Sequence, residues 1–208
     1  MITELFLVRH GQTEYNRKKR YCSFTDAPLV KFGKAQVIRL RNKKIVPKPD
    51  IIFSSHLKRS RQTARALFPR RQIKPVRALA ELNFGRWEGM SYEEIMRGED
   101  SIHYKRWIRN PGRLSPPAGE KMKDFNRRVN GFLAHVLRCY AGKTIACVSH
   151  AGPIKIMICR LLGKKKNDFW RVGVGTASVS YFKIKGKKMI FSKLNEIAEK
   201  NPKQRSNL

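Results

Sequence analysis

The sequence predicts an α/β fold in which parallel strands are covered by helices on both faces. Residues 5–8, 51–53 and 144–148 are short apolar runs of strand length. A polar turn containing Gly11 follows the first, and helix-like stretches, 58–67 and 154–162, follow the second and third. Strand-then-helix order of this kind marks a parallel sheet with helical crossovers.

The clearest helix covers residues 121–140. Met122, Phe125, Val129, Phe132, Leu133, Val136 and Leu137 recur there at three- and four-residue spacing. They form one apolar stripe, read as core. Val179, Tyr181 and Ile184, then Met189 and Phe191, read as a closing hairpin with Gly186 in its turn. No repeat, linker or low-complexity block interrupts the 208 residues. One domain over residues 1–200 and a polar, frayed tail over 201–208 are expected.

Composition narrows the class. A hydrophobic fraction of 41% is ordinary for a globular protein, and no stretch approaches the roughly 18 apolar residues of a membrane span. The apolar run at 2–8 is broken by Glu4 and followed by Arg9 and His10, unlike a signal peptide. Cys22, Cys139, Cys147 and Cys159 lie scattered without C-x-x-C spacing, which argues against a disulfide scaffold and a zinc site. The cytoplasm is the expected compartment. Lys and Arg total 46 against 15 Asp and Glu, a net charge of +31. Such a field draws polyanions and small anionic substrates. The cations are spread along the chain without an arginine-rich tail, so a solvated basic surface is favoured over a dedicated nucleic-acid site.

Chemistry gathers where the three runs end. The first ends in Leu7-Val8-Arg9-His10-Gly11-Gln12-Thr13, the second in Ser54-Ser55-His56-Leu57-Lys58-Arg59, the third in Val148-Ser149-His150-Ala151-Gly152. Ligands collect at the carboxyl ends of such strands. Two arginines and two histidines meeting there would hold a dianion, because the guanidinium fork matches phosphate oxygens. Gly11 and Gly152 would let backbone approach the ligand. His56, His103 and His135, standing alone, are read as structural.

The first of these motifs resembles the L-V-R-H-G-x-T signature of the histidine phosphatase (phosphoglycerate-mutase-like) superfamily. The resemblance continues through Asp26-Ala27-Pro28-Leu29 with Gly33, through Ser54 to Ala64, through Glu81-Leu82-Asn83-Phe84-Gly85-Arg86-Trp87-Glu88-Gly89, and through Val148 to Gly152 and Ala177 to Ser180. It implies a three-layer α/β/α sandwich with a mostly parallel central sheet. It implies covalent catalysis, with His10 attacking phosphorus as a neutral imidazole. Arg9, Arg59 and His150 would hold the phosphoryl oxygens, and Glu81 would act as acid and then as base. Gly11, Thr13, Asn16, Cys22, Ser23 and Ala151 would complete the phosphate subsite, with Asn16 touching the phosphate or fixing the His10 loop. No cofactor or metal is implied, since arginines supply the positive charge.

The chain departs from the family pattern at His56, where an acid is common, and at Ala80, where an arginine is common. Pro116-Pro117-Ala118-Gly119-Glu120-Lys121 resembles the family's P-P-G-G-E-S loop with two changes. Glu88 competes with Glu81 for the acid role but is read as pinning its loop. Trp87 and Trp107 are read as core or as pocket lining. The phosphatase branch fits better than the longer mutases, with α-ribazole phosphatases most similar and phosphoserine or broad-specificity sugar phosphatases as alternatives. A non-catalytic polyanion- or RNA-binding module on the same fold is the alternative from another class. A small phosphomonoester is the expected partner, and a monomer or homodimer the expected state.

Overall fold

The computed structural model describes residues 1–110, 113–164, 166–186 and 188–197, with the side chains of 166 and 167 left aside. Strand β1 (Ile2–Arg9) leads through helix α1 (Glu14–Arg17) to α2 (Lys31–Asn42), β2 (Ile51–Ser55), α3 (Lys58–Leu67) and the short β3 (Lys74–Val76). Helices α4 (Tyr92–Arg97), α5 (Ser101–Arg109) and α6 (Met122–Cys139) precede β4 (Thr144–Ser149) and α7 (Ala151–Leu161). The hairpin of β5 (Ser178–Lys185) and β6 (Lys188–Ile197) closes the sheet.

The sheet runs β3-β2-β4-β1-β5-β6. Strands β1 to β4 pair in parallel, and β5 and β6 add antiparallel partners. Successive side chains of a strand point to opposite faces, so strands covered on both sides are apolar throughout. Phe6, Val8, Ile52, Ala146 and Val148 face α2 and α3, where Val37, Leu40, Ala64 and Leu67 meet them. Leu5, Leu7, Phe53, Ile145 and Cys147 face the other way, onto the α6 stripe and onto Ile154 and Ile158 of α7. The sandwich is three-layered and its sheet mostly parallel, as expected, with β5 and β6 as the antiparallel exceptions.

Helix α7 begins at Ala151, three residues before the expected start. Gly152 and Pro153 do not delay it, because the N–H that proline lacks has no partner in a first turn. Helix α2 carries no clear apolar stripe in the sequence; it buries only Gly33, Val37 and Leu40. Strand β3 accommodates Pro75 because it lies at the sheet edge. Gly186 takes φ +60° in the expected hairpin turn. The expected tail, 201–208, lies outside the described residues. Among the described residues, no helix is long and apolar enough to cross a membrane.

Candidate active site

A cleft of about 200 Å³ opens where β1, β2 and β4 end, lined among others by Arg9, His10, Arg59, Glu81, Ala151 and Gly152. The sheet order makes this meeting unavoidable. Strand β4 lies between β1 and β2, so their carboxyl ends reach one edge together. The peptide of His10 is held from both sides: its N–H donates to Ser149 at 3.0 Å, and its carbonyl accepts from Ala177 at 3.0 Å. The residue after it must be small. A β-carbon on Gly11 would lie 2.5 Å from the carbonyl oxygen of Gly33, where α2 packs against the turn.

His10 is 3% exposed. Burial first, then the charges of Arg59 and Arg9, push its pKa well below the usual histidine value, so the ring is neutral near pH 7. Its Nδ1 lies 2.7 Å from the carbonyl oxygen of Gly11. A carbonyl only accepts, so Nδ1 carries the proton and Nε2 keeps a free lone pair. That is the protonation state a nucleophilic imidazole requires.

His150 caps the start of α7 and is fully enclosed. Its Nδ1 accepts from Arg59 Nε at 3.2 Å, and its Nε2 lies 2.8 Å from Ser55 Oγ. The arginine can only donate, which fixes the Nε2–H tautomer. Burial and then Arg59 hold its pKa well below the ordinary value. The two imidazoles stand edge to face, with centroids 5.1 Å apart.

Arg59, 1% exposed, donates also to the carbonyls of Thr25 and Ser23 at 3.0 and 2.8 Å and to Cys22 at 3.3 Å. It therefore fastens the 22–25 loop as well as facing the cleft. Arg9 donates from Nη1 to Val174 at 2.6 Å, while its buried Nε has no hydrogen-bond partner among the described residues. Among the described residues, Glu81 is the only carboxylate lining the cleft. Its oxygens accept the N–H groups of Leu82 at 2.9 Å and Gly152 at 3.2 Å. An excess of guanidinium over carboxylate in a cleft favours a dianion.

Of the remaining expected residues, Thr13, Asn16, Cys22 and Ala151 line the cleft. Asn16 fixes the turn after His10: its Oδ1 accepts from the N–H and hydroxyl of Thr13, each at 3.0 Å. Gly11 and Ser23, also expected at the phosphate subsite, have partners of their own beside the cleft. Gly11 is turned into the α2 contact and donates to Thr63 Oγ1 at 3.1 Å. Ser23 is turned towards Glu88, which accepts from its N–H at 2.8 Å and from its hydroxyl. Glu88 also accepts from Thr25 N–H at 3.2 Å, so this carboxylate pins the loop. Trp107 lines the cleft, whereas Trp87 is wholly core.

Sequence reasoning missed the outer wall, formed by Tyr21, Phe84, Lys155, Phe169 and Trp170 with Arg20. Only Lys155 carried a signal, standing one helical turn beyond Ala151. It also missed Arg128 of α6. This guanidinium donates to the carbonyls of Ala78 and Ala80 at 2.8 Å and of Glu81 at 3.0 Å, and pairs with Glu120. An arginine thus braces the Glu81 segment from another element, although position 80 itself is alanine.

The fold and this constellation are those of a phosphatase, and the chain belongs to the histidine phosphatase superfamily (branch 1), whose pattern matches residues 5–197. It is similar to phosphoserine phosphatase 1 of Hydrogenobacter thermophilus, at 32% identity over 93% of this chain and 92% of the relative. Adenosylcobalamin/alpha-ribazole phosphatase of Escherichia coli K12 is 31% identical over 93% and 96%. Among solved structures, a putative alpha-ribazole-5'-P phosphatase from E. coli superposes with a TM-score of 0.84, at 29% identity over 93% of this chain and 96% of that one. A phosphoserine phosphatase mutant from Entamoeba histolytica, in complex with phosphoserine, gives 0.83 at 27% identity over the same shares. The chain is a phosphatase of this superfamily, with a small phosphorylated substrate.

Proposed function

We propose that the chain hydrolyses a small phosphomonoester through a phosphohistidine on His10, without a metal ion. The observation that carries this reading is the state of His10: neutral, clamped at its peptide, with Nδ1–H on Gly11 and Nε2 free beside two arginines. Nε2 attacks phosphorus, the leaving oxygen takes the proton of Glu81, and the phosphoryl group rests on Nε2. Water then attacks that group and gives a proton back to Glu81, releasing inorganic phosphate and restoring the imidazole. Arg9 and Arg59 neutralise the oxygens that gain charge in both steps.

The names carried by relatives divide between α-ribazole phosphate and phosphoserine, and both are small phosphomonoesters of an alcohol. The aromatic wall of Phe84, Phe169 and Trp170 supports a leaving group that offers it an apolar face. Four unpaired cysteines support work in a reducing compartment such as the cytoplasm.

Hydrolysis of a phosphomonoester panel in EDTA tests the reading, together with trapping of labelled phosphate on His10 under an alkaline quench. Undiminished turnover in EDTA and label on His10 are expected. A requirement for added Mg²⁺ or Zn²⁺, or label on another residue, overturns it.

A further inference from the structure

We propose that Lys155 binds a second anionic group, of carboxylate size, on the leaving-group side of the substrate. This inference rests on the phosphatase reading above and names the substrate class: phosphomonoesters of a hydroxy acid.

Lys155 lies on α7, four residues beyond Ala151 and three beyond Gly152. That spacing places all three on one helix face, and all three line the cleft. Its ammonium stands over the rings of Phe169 and Trp170, 5.4 and 5.6 Å from their centroids. Among the described residues it has neither a hydrogen-bond acceptor nor an ion-pair partner. Two aromatic faces return only part of what a half-buried ammonium loses in leaving water. Burial, and then the nearby Arg9, accordingly lower its affinity for the proton. A cation held at such a cost in a ligand cleft awaits an anion.

The charges of the cleft say where that anion comes from. Arg20 is already neutralised by Glu94, with bonds of 2.7 and 2.5 Å. Glu81 spends its oxygens on Leu82 and Gly152 and makes no ion pair with Lys155. Arg9 and Arg59 match the two charges of a phosphoryl dianion. Lys155 is the cation left over, and a carboxylate on the leaving alcohol balances it. A substrate with a neutral leaving group leaves it unpaired.

Two pairs of substrates isolate this contact: phosphoserine against phosphoethanolamine, and 3-phosphoglycerate against glycerol 3-phosphate. The second member of each pair lacks the carboxylate. Wild type should favour the acid by about 10- to 100-fold in kcat/KM, the size of a charge-assisted hydrogen bond. In Lys155→Met that ratio should fall to within about threefold of one, mainly through KM of the acids. Lys155→Arg should keep most of the preference, and circular dichroism should show all three proteins folded alike. Hydrolysis without an acid preference, or a preference that Lys155→Met leaves intact, overturns the role of Lys155 alone. Failure to hydrolyse any of the four substrates and p-nitrophenyl phosphate overturns the phosphatase reading, and this inference with it.

Discussion

Glu81 occupies the space that a side chain on Gly152 would need: a β-carbon there would overlap Oε1 and come within 2.9 Å of the Phe125 ring. The first turn of α7 and the carboxylate are fitted to one another. Gly152→Ala must displace Glu81 while leaving His10 and Arg59 in place. It should slow transfer from alkyl phosphates by about 10²-fold, the lower end of general acid–base assistance. Overpacking should lower stability by about 1–3 kcal/mol. Single-turnover rates and urea melts measure the two effects.

Glu81→Gln and Glu88→Gln should separate acid from anchor. An alkoxide leaves poorly unprotonated, whereas a nitrophenolate leaves well alone. Glu81→Gln should therefore depress phosphohistidine formation from alkyl phosphates far more than from p-nitrophenyl phosphate. Glu88→Gln should change both about equally, because Glu88 holds only the 22–25 loop. The reverse pattern would reassign the acid.

The same anchor predicts a change in hydrogen exchange. Glu88→Ala strands the N–H groups of Ser23 and Thr25, at a cost of about 1–3 kcal/mol for a buried unpaired donor. Exchange at residues 22–25 should quicken by tenfold or more, with β1 and β4 protected as before. Uniform acceleration across the sheet would mean that Glu88 supports the whole fold.

His10 and His150 make stability depend on pH in a definite direction. Both are buried neutral, with pKa values well below the 6.5 of an exposed histidine. Below pH 6.5 the unfolded chain takes up protons that the folded one refuses, so stability falls as pH falls from there towards the folded values. The slope should reach about 1.4 kcal/mol per pH unit for each histidine. His10→Phe should remove roughly half of the loss between pH 6.5 and 5.5. It should also abolish turnover, as His10→Ala should, with the fold retained.

What could be read in advance follows from where the information sits. The strand runs and the α6 stripe are local patterns, and their elements appear with ends shifted by a few residues. Arg9, His10, Arg59 and His150 stand next to such runs, so their meeting could be derived from sheet order. The bonds of Gly11 to Thr63 and of Ser23 to Glu88 were not legible, because sequence proximity to His10 or Arg59 does not say which way a residue faces. Arg128 reaches the Glu81 segment from 47 residues away, and Lys155 meets Phe169 and Trp170 across a loop. Such contacts depend on packing between elements and leave no periodic trace.

The sheet order also sets a timetable for synthesis. Strand β1, which ends at Arg9 and leads directly to His10, lies between β4 and β5. Leu7 pairs with Cys147 on one side and Ser180 on the other. Strand β1 must therefore wait for strands made more than a hundred residues later, and contacts of that separation slow folding. A nascent chain halted before β5 would hold His10 at the end of a strand with an open, apolar edge, the state most exposed to aggregation. Catalytic competence would thus arise in one late step, once the ribosome has released the segment that closes the sheet around β1.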